Sequence, residues 1–365
     1  MNRAVFVSLT ILCLLCVSSM TGLIQTVKAD GGTNYIGTNY INADGSMTLS
    51  AAVIRTADNI TYTLTDNITT NVDSIVIYRS NMVLNGAGCT VMGGAIGWGI
   101  TLRKVVNVTV NNITLKNFTN GIVLLSSSDS TLSGNNITAN GNYGIWLDSS
   151  SNNTLSGNNI TANSIYGILL DSSFNTIRAG LFLNSSSDNN NLSGNNIANN
   201  SEGVFLNSTS DNNTLSGNNI VNNDVGINFD STSGNALSGN NVTNNGDGIV
   251  LSGSSNNFIF HNDFVNNTNQ VYADGLSNIW DNGYPSGGNY WSDYLTKYPN
   301  ATPDFIFGFW NTPYVIDANN TDHYPLAVPI GAIPEFPSFL ILPLFMIATL
   351  LPVIIYKKKG AKSTH

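Results

Sequence analysis

Two carboxylates, Asp148 and Asp171, stand 23 residues apart, each closing a Gly-Ile-x-Leu-Asp run. Asp230 takes the same place further on, with Asn207 between. Asp129, Asp188 and Asp211 lie nearby in their own units. Carboxylates stacked about 5 Å apart repel unless an ion bridges them or one is protonated. Asp148 and Asp171 are therefore calcium candidates, and acid/base chemistry on a polysaccharide uses such pairs too. Solvated turns are the simpler account, because Asp is a good turn residue. Lyases and hydrolases also commonly use Arg or Lys to stabilise developing charge, and the regular repeats carry one basic residue, Arg178. Copper needs clustered His, Cys and Met. His261, His323 and His365, with Met47, Met82 and Met92, share no spacing that would bring them together.

The elements that would position these acids recur at a fixed period. Leu132, Leu155, Leu192, Leu215 and Leu237 each open a Leu-Ser-Gly-Asn-Asn block. Gly144 to Gly167 is 23 residues, and Gly226 to Gly248 is 22. A period of this length marks a repeat architecture. The unit has no run long enough for a helix, and Asn, Gly and Ser cut it into three short apolar pieces. The expected fold is all-β: a right-handed single-stranded parallel β-helix of nine or ten coils, with each coil pairing to the next.

Three inward columns follow. Leu132, Leu155, Leu192, Leu215 and Leu237 form one. Ile137, Ile160, Ile197, Ile220 and Val242 form the second, and Ile122, Ile145, Ile168, Val204, Ile227 and Ile249 the third. The Asn-Asn pairs are expected to hold left-handed corners and to hydrogen-bond up and down the stack. The 37-residue gap from Leu155 to Leu192 predicts a short coil with Ile177 at its head. One outward column is apolar: Val123, Trp146, Leu169 and Phe205, then Asn228 and Val250. It is either a binding stripe or a surface covered by a loop. Sequons at Asn107, Asn112, Asn117, Asn136, Asn159, Asn207, Asn241 and Asn266 are glycosylation candidates.

Residues 1–29 read as a signal peptide, 30–59 as an N-terminal cap and 60–271 as the coils. Residues 272–326 read as an aromatic-rich C-terminal cap, and 327–338 as a linker. An uncharged apolar run at 339–356 is long enough to cross a bilayer, and 357–365 is a basic tail on its inner side. Cys89 alone would remain in the mature chain, as a small buried hydrophobe. The net charge of −9 and 10% charged residues argue against nucleic acid as a partner.

The repeat block, the closing unit Asn256–Asp281, Gly287-Gly288-Asn289-Tyr290-Trp291-Ser292-Asp293-Tyr294 and Asp322-His323-Tyr324-Pro325-Leu326 resemble the NosD-like β-helix proteins, common on archaeal cell surfaces. The family name comes from a periplasmic factor for maturing nitrous oxide reductase, often labelled copper-binding. Phe307-Gly308-Phe309-Trp310-Asn311 departs from an acidic stretch often found at that place. Pro334-Glu335-Phe336, the apolar run and the lysines resemble a PEF-CTERM sorting signal, which implies processing by an archaeosortase.

The expected role is binding or structural: a non-enzymatic protein anchored in the cell membrane, facing outward and contacting glycan or envelope protein. A polysaccharide lyase or hydrolase is the first alternative. A NosD-like factor for copper enzyme maturation is the second.

Overall fold

In the computed structural model, which describes residues 37–49, 52–171, 187–304 and 308–330, Leu132 lies beside Leu155 and Leu155 beside Leu192. Ile137, Ile160 and Ile197 are aligned in the same way, as are Ile122, Ile145 and Ile168. All of these are fully buried. Each turn of chain supplies three strands, such as Thr131–Ser133, Asn136–Thr138 and Tyr143–Asp148. The strands assemble one 11-stranded and two 10-stranded sheets, parallel from coil to coil. The result is a right-handed β-solenoid of about nine turns with little helix. Burying each Leu or Ile contributes roughly 1.5–3 kcal/mol, and every coil depends on the coil next to it for that burial.

The gap between Leu155 and Leu192 resolves differently from the expectation. The two leucines are direct partners, and Ile168 pairs directly with Val204. These are neighbouring rungs, and Ile177, the expected head of a short coil, lies outside the described residues. Ser187 resumes the turn: its hydroxyl accepts the Ser150 N–H at 3.2 Å.

The asparagines form three buried columns, one at each corner. In the first, Asn135 donates from Nδ2 to Asn158 Oδ1 at 3.1 Å, and Asn158 to Asn195 at 3.0 Å. Asn158 Nδ2 also reaches back to the Leu132 carbonyl at 2.9 Å, while its Oδ1 also accepts the Asn135 N–H at 3.1 Å. Both donors and both acceptor sites of the amide are thus used without water. The second column includes Asn140, Asn163 and Asn200, and the third Asn153, Asn190 and Asn213. The expected ladder is therefore present, and so are left-handed asparagines: Asn152, Asn189, Asn199, Asn212 and Asn222 take φ of 54–60° at the first position of their Asn-Asn pairs. In the Leu-Ser-Gly-Asn-Asn blocks the left-handed residue is instead the glycine before the pair, with φ of 61° at Gly134, Gly157, Gly194 and Gly217. Glycine adopts this conformation without a Cβ penalty, and the asparagine after it stays free to aim its amide inward.

Both ends break the repeat. Asn39–Ile41 pairs antiparallel with Met47–Thr48, and Ile54–Arg55 antiparallel with Thr61–Leu64. At the other end the isoleucine column turns aromatic. Phe264 stacks on Trp291 at 4.7 Å, and Trp291 on Tyr314 at 4.4 Å. A short helix, Tyr294–Lys297, sets Tyr294 against Trp310 at 4.9 Å. Cys89 is buried in the core.

The expected signal peptide (1–29), sorting motif (334–336), membrane segment (339–356) and basic tail (357–365) lie outside the described residues. Among the described residues, no helix is long and apolar enough to cross a membrane.

Candidate functional site

Trp98–Arg103, Asn120–Leu125, Tyr143–Asp148, Tyr166–Asp171 and Glu202–Asn207 are successive strands of the 11-stranded sheet. Alternation decides what each shows to solvent. Ile145 and Leu147 point inward and are fully buried, while Trp146 and Asp148 lie on the outer side; at Gly144, which packs inward at the corner, the alternation breaks and leaves Tyr143 on the outer side too. Gly144 follows Tyr143 because the corner leaves no room. A Cβ there would lie 2.6 Å from Ile160 Cγ2 and 2.7 Å from the Gly167 carbonyl oxygen.

The outer side of these strands is an aromatic surface. Tyr143 and Tyr166 stack at 5.2 Å between ring centres. Trp146 meets Tyr143 edge-on at 5.7 Å and Trp98 at 6.1 Å. Phe205 lies 5.0 Å from Tyr166. Of the four stripe residues singled out in the sequence, all are in register. Val123 and Leu169 are buried, however, which removes them from direct ligand contact; Trp146 and Phe205 stay half-buried. Beside this stripe runs a second column, Tyr143 and Tyr166, that the apolar stripe does not include. Its signal was the Tyr-Gly-Ile that opens two consecutive strands.

Carboxylates border the rings. Asp148 and Asp171 are register partners, as are Tyr166 and Glu202. Burial pushes the Asp148 carboxyl up, the Ser149 hydroxyl bonded to it at 2.9 Å pulls it down, and Asp171 adds to the rise. Burial likewise raises Glu202, against the hydrogen bond it accepts from Asn228 at 3.0 Å. Tyr166 is pushed up to about 12, first by burial and then by Glu202, Tyr143 and Asp171. Burial, then Asp171, raises Tyr143. These shifts mark one electrostatically connected face.

Among the described residues, no three His, Cys, Asp or Glu side chains are placed to hold an ion. His323 Nδ1 is engaged by Asp281 at 2.9 Å, Met82 is in the core, and His261 faces the Ser286 segment.

His261 and Ser286 invite a nucleophile–base reading that the geometry denies. His261 Nε2 lies 2.7 Å from the Ser286 carbonyl oxygen and 3.3 Å from its hydroxyl. The carbonyl contact needs a proton on Nε2, so that nitrogen cannot also accept one from Ser286.

The sequons divide by exposure. Asn107, Asn112, Asn117, Asn241 and Asn266 are exposed, and Asn136, Asn159 and Asn207 are half-buried. Asn159 Nδ2 is engaged by Asn136 at 2.8 Å in an outer amide column.

A family model described as periplasmic copper-binding protein (NosD) matches residues 168–296. One described as right handed beta helix region matches residues 50–184. No curated protein matches the chain. Among solved structures, the mannuronan C-5 epimerase AlgE6 A-module of Azotobacter vinelandii is similar at 15% identity and a TM-score of 0.44, over 59% of this chain and 71% of that one. A tailspike protein of E. coli bacteriophage HK620, in complex with a pentasaccharide, is similar at 12% identity and a TM-score of 0.46. That match covers 62% of this chain and 50% of the tailspike. Alginate lyase from Paenibacillus sp. str. FPU-7 is similar at 14% identity and a TM-score of 0.34, over 62% of this chain and 90% of the lyase. The two family models and the strand register lead to one statement: the chain is a right-handed parallel β-helix repeat protein.

Proposed function

We propose that this protein is displayed at the cell surface and binds glycan on the outer side of its 11-stranded sheet, without chemically altering it. The observation that carries the reading is the ring array of Trp98, Tyr143, Trp146, Tyr166 and Phe205 on one face. Sugar rings stack their C–H faces on aromatic rings, and such rings lose little side-chain entropy on binding. Outward display follows from the expected leader at 1–29, and anchorage from the apolar run at 339–356 with its lysines. Cleavage near Pro334-Glu335-Phe336 by an archaeosortase would replace that anchor with lipid. The exposed sequons at Asn107, Asn112, Asn117, Asn241 and Asn266 suit a glycosylated surface. The test is glycan-array binding of the purified chain against Tyr143→Ala and Trp146→Ala. The reading requires loss of binding in folded variants; unchanged binding in both places the ligand elsewhere.

One observation favours hydrolysis as a second reading. Asp148 and Asp171 are register partners on adjacent strands, and their burial is unequal. Retaining glycosidases use two neighbouring carboxyls in unequal environments, and here the buried Asp148 would serve as acid and Asp171 as nucleophile. New reducing ends released by the native chain, and not by Asp148→Asn, would establish hydrolysis.

A further inference from the structure

We infer that the face selects an uncharged glycan chain and discriminates against polyuronates; the inference rests on the glycan-binding reading above. The argument is the distribution of charge around the rings. On one side of the aromatic columns the outward positions of successive strands are Asp148, Asp171, Asn207 and Asp230. The Tyr143–Tyr166 column itself continues on the next strands as Glu202, Val225 and Asp247. Carboxylates therefore flank the rings along one side, at Asp148 and Asp171, and follow them at one end, at Glu202, Asp230 and Asp247. Arg103, which is exposed, stands in the Asp148 column two strands before Asp148, on the strand that carries Trp98.

A chain lying on Tyr143, Trp146, Tyr166 and Phe205 runs beside Asp148, Asp171 and Glu202. Carboxylates of a polyuronate held there would lie nearer these acids than Arg103, which stands two strands before Asp148. Like charges in partly buried surroundings repel more strongly than in bulk water. Asp148 and Glu202 are already poorly solvated, so each added negative charge meets sites that disfavour it. Sugar hydroxyls carry no such penalty, and the carboxylates accept hydrogen bonds from them.

The test is isothermal titration of the full chain with cellohexaose, mannohexaose and hexagalacturonate at low and high salt. The expected result is that at least one uncharged hexasaccharide binds tenfold or more tightly than hexagalacturonate. The gap should narrow at high salt, where exposed charges are screened. Asp171→Asn and Glu202→Gln, each checked for folding by circular dichroism, should also narrow it by strengthening uronate binding. Asp230→Asn, at the rim, serves as a second charge-removing variant. Hexagalacturonate binding as tightly as the uncharged chains overturns the discrimination and leaves the glycan face standing. Failure of all three sugars to bind overturns both.

Discussion

The Asp322 carboxylate accepts the backbone N–H of Asn289 at 2.8 Å, in the place where each preceding coil offers an asparagine amide oxygen. Asn240 gives its N–H to Asn262 Oδ1, Asn262 to Asn289 Oδ1, and Asn289 to Asp322 Oδ2. Every amide in this column donates toward the C-terminal end, so the column presents N–H groups there. A carboxylate at that end meets aligned donors, as an acidic residue does at a helix N-terminus. Asp322 also accepts from Trp291 Nε1 at 2.9 Å and from the Tyr324 N–H at 3.1 Å. It joins the ladder to the aromatic cap.

The stability of the cap should depend on pH through Asp322. Burial pushes its carboxyl up to about 7, against hydrogen bonds from Asn289, Trp291 and Tyr324 that pull it down. The folded chain then holds a proton that the unfolded chain, with an ordinary carboxyl, has lost. Stability from this group is complete below about pH 4 and is lost as pH rises through 7. The expected size is on the order of a few kcal/mol. Melting the chain from pH 4 to pH 8 should show a falling Tm, and Asp322→Asn should flatten the slope. A Tm that rises across this range would show that the hydrogen bonds outweigh burial.

Ile145 and Trp146 test the strand faces. Ile145→Asp places an unpaired charge between Ile122 and Ile168 and should cost several kcal/mol, unfolding neighbouring coils. Trp146→Asp should leave the melt largely intact and remove glycan binding. If Trp146→Asp unfolds the chain and Ile145→Asp does not, the inward and outward assignments are reversed.

Two glycines in one coil should respond differently to alanine. Gly144 has Gly167 carbonyl oxygen and Ile160 Cγ2 within 2.7 Å of any Cβ, so Gly144→Ala should cost about 1–3 kcal/mol by overpacking. Gly134 faces open space, and its φ of 61° is the sole obstacle. Gly134→Ala should cost about 1 kcal/mol. Denaturant melts rank the two, and the reverse order would contradict the corner geometry.

Inner and outer amides of one pair should also separate. Asn158→Ala strands the partners it serves in two neighbouring coils, each worth about 1–3 kcal/mol when buried and unsatisfied. Asn159→Ala acts at a half-buried position that water can reach, and should cost under about 1 kcal/mol. Equal losses in urea melts would mean that the buried column carries no special weight.

The columns were legible in the sequence because a solenoid converts spacing directly into contact. Leu132 and Leu155 touch because they are 23 residues apart and nothing else decides it. Where the period lapses, that logic fails. Ile177 matches the spacing, yet the partner of Leu155 is Leu192, 37 residues on. The burial of Val123 beside Thr101 and Trp146 depends on ring orientation across neighbouring coils, which alternation along one strand cannot supply. Asp322 reads as an ordinary loop acid until the chain folds it under Asn289, 33 residues away.

Each coil offers the same upper and lower surface: Leu215 sits on Leu192 as Leu155 sits on Leu132. The two ends are therefore indifferent to how many copies stand between them. Adding or removing one 22- or 23-residue unit shifts the aromatic end by one strand spacing, about 4.8 Å, with its contacts intact. The 37-residue interval from Leu155 to Leu192 keeps all three amide columns paired across it, so extra residues within one unit leave the rung spacing unchanged. The rod's reach is thus quantised. Recombination between near-identical units can lengthen or shorten it in whole rungs, so the distance from the ring face to the aromatic end is a heritable trait that varies in discrete steps.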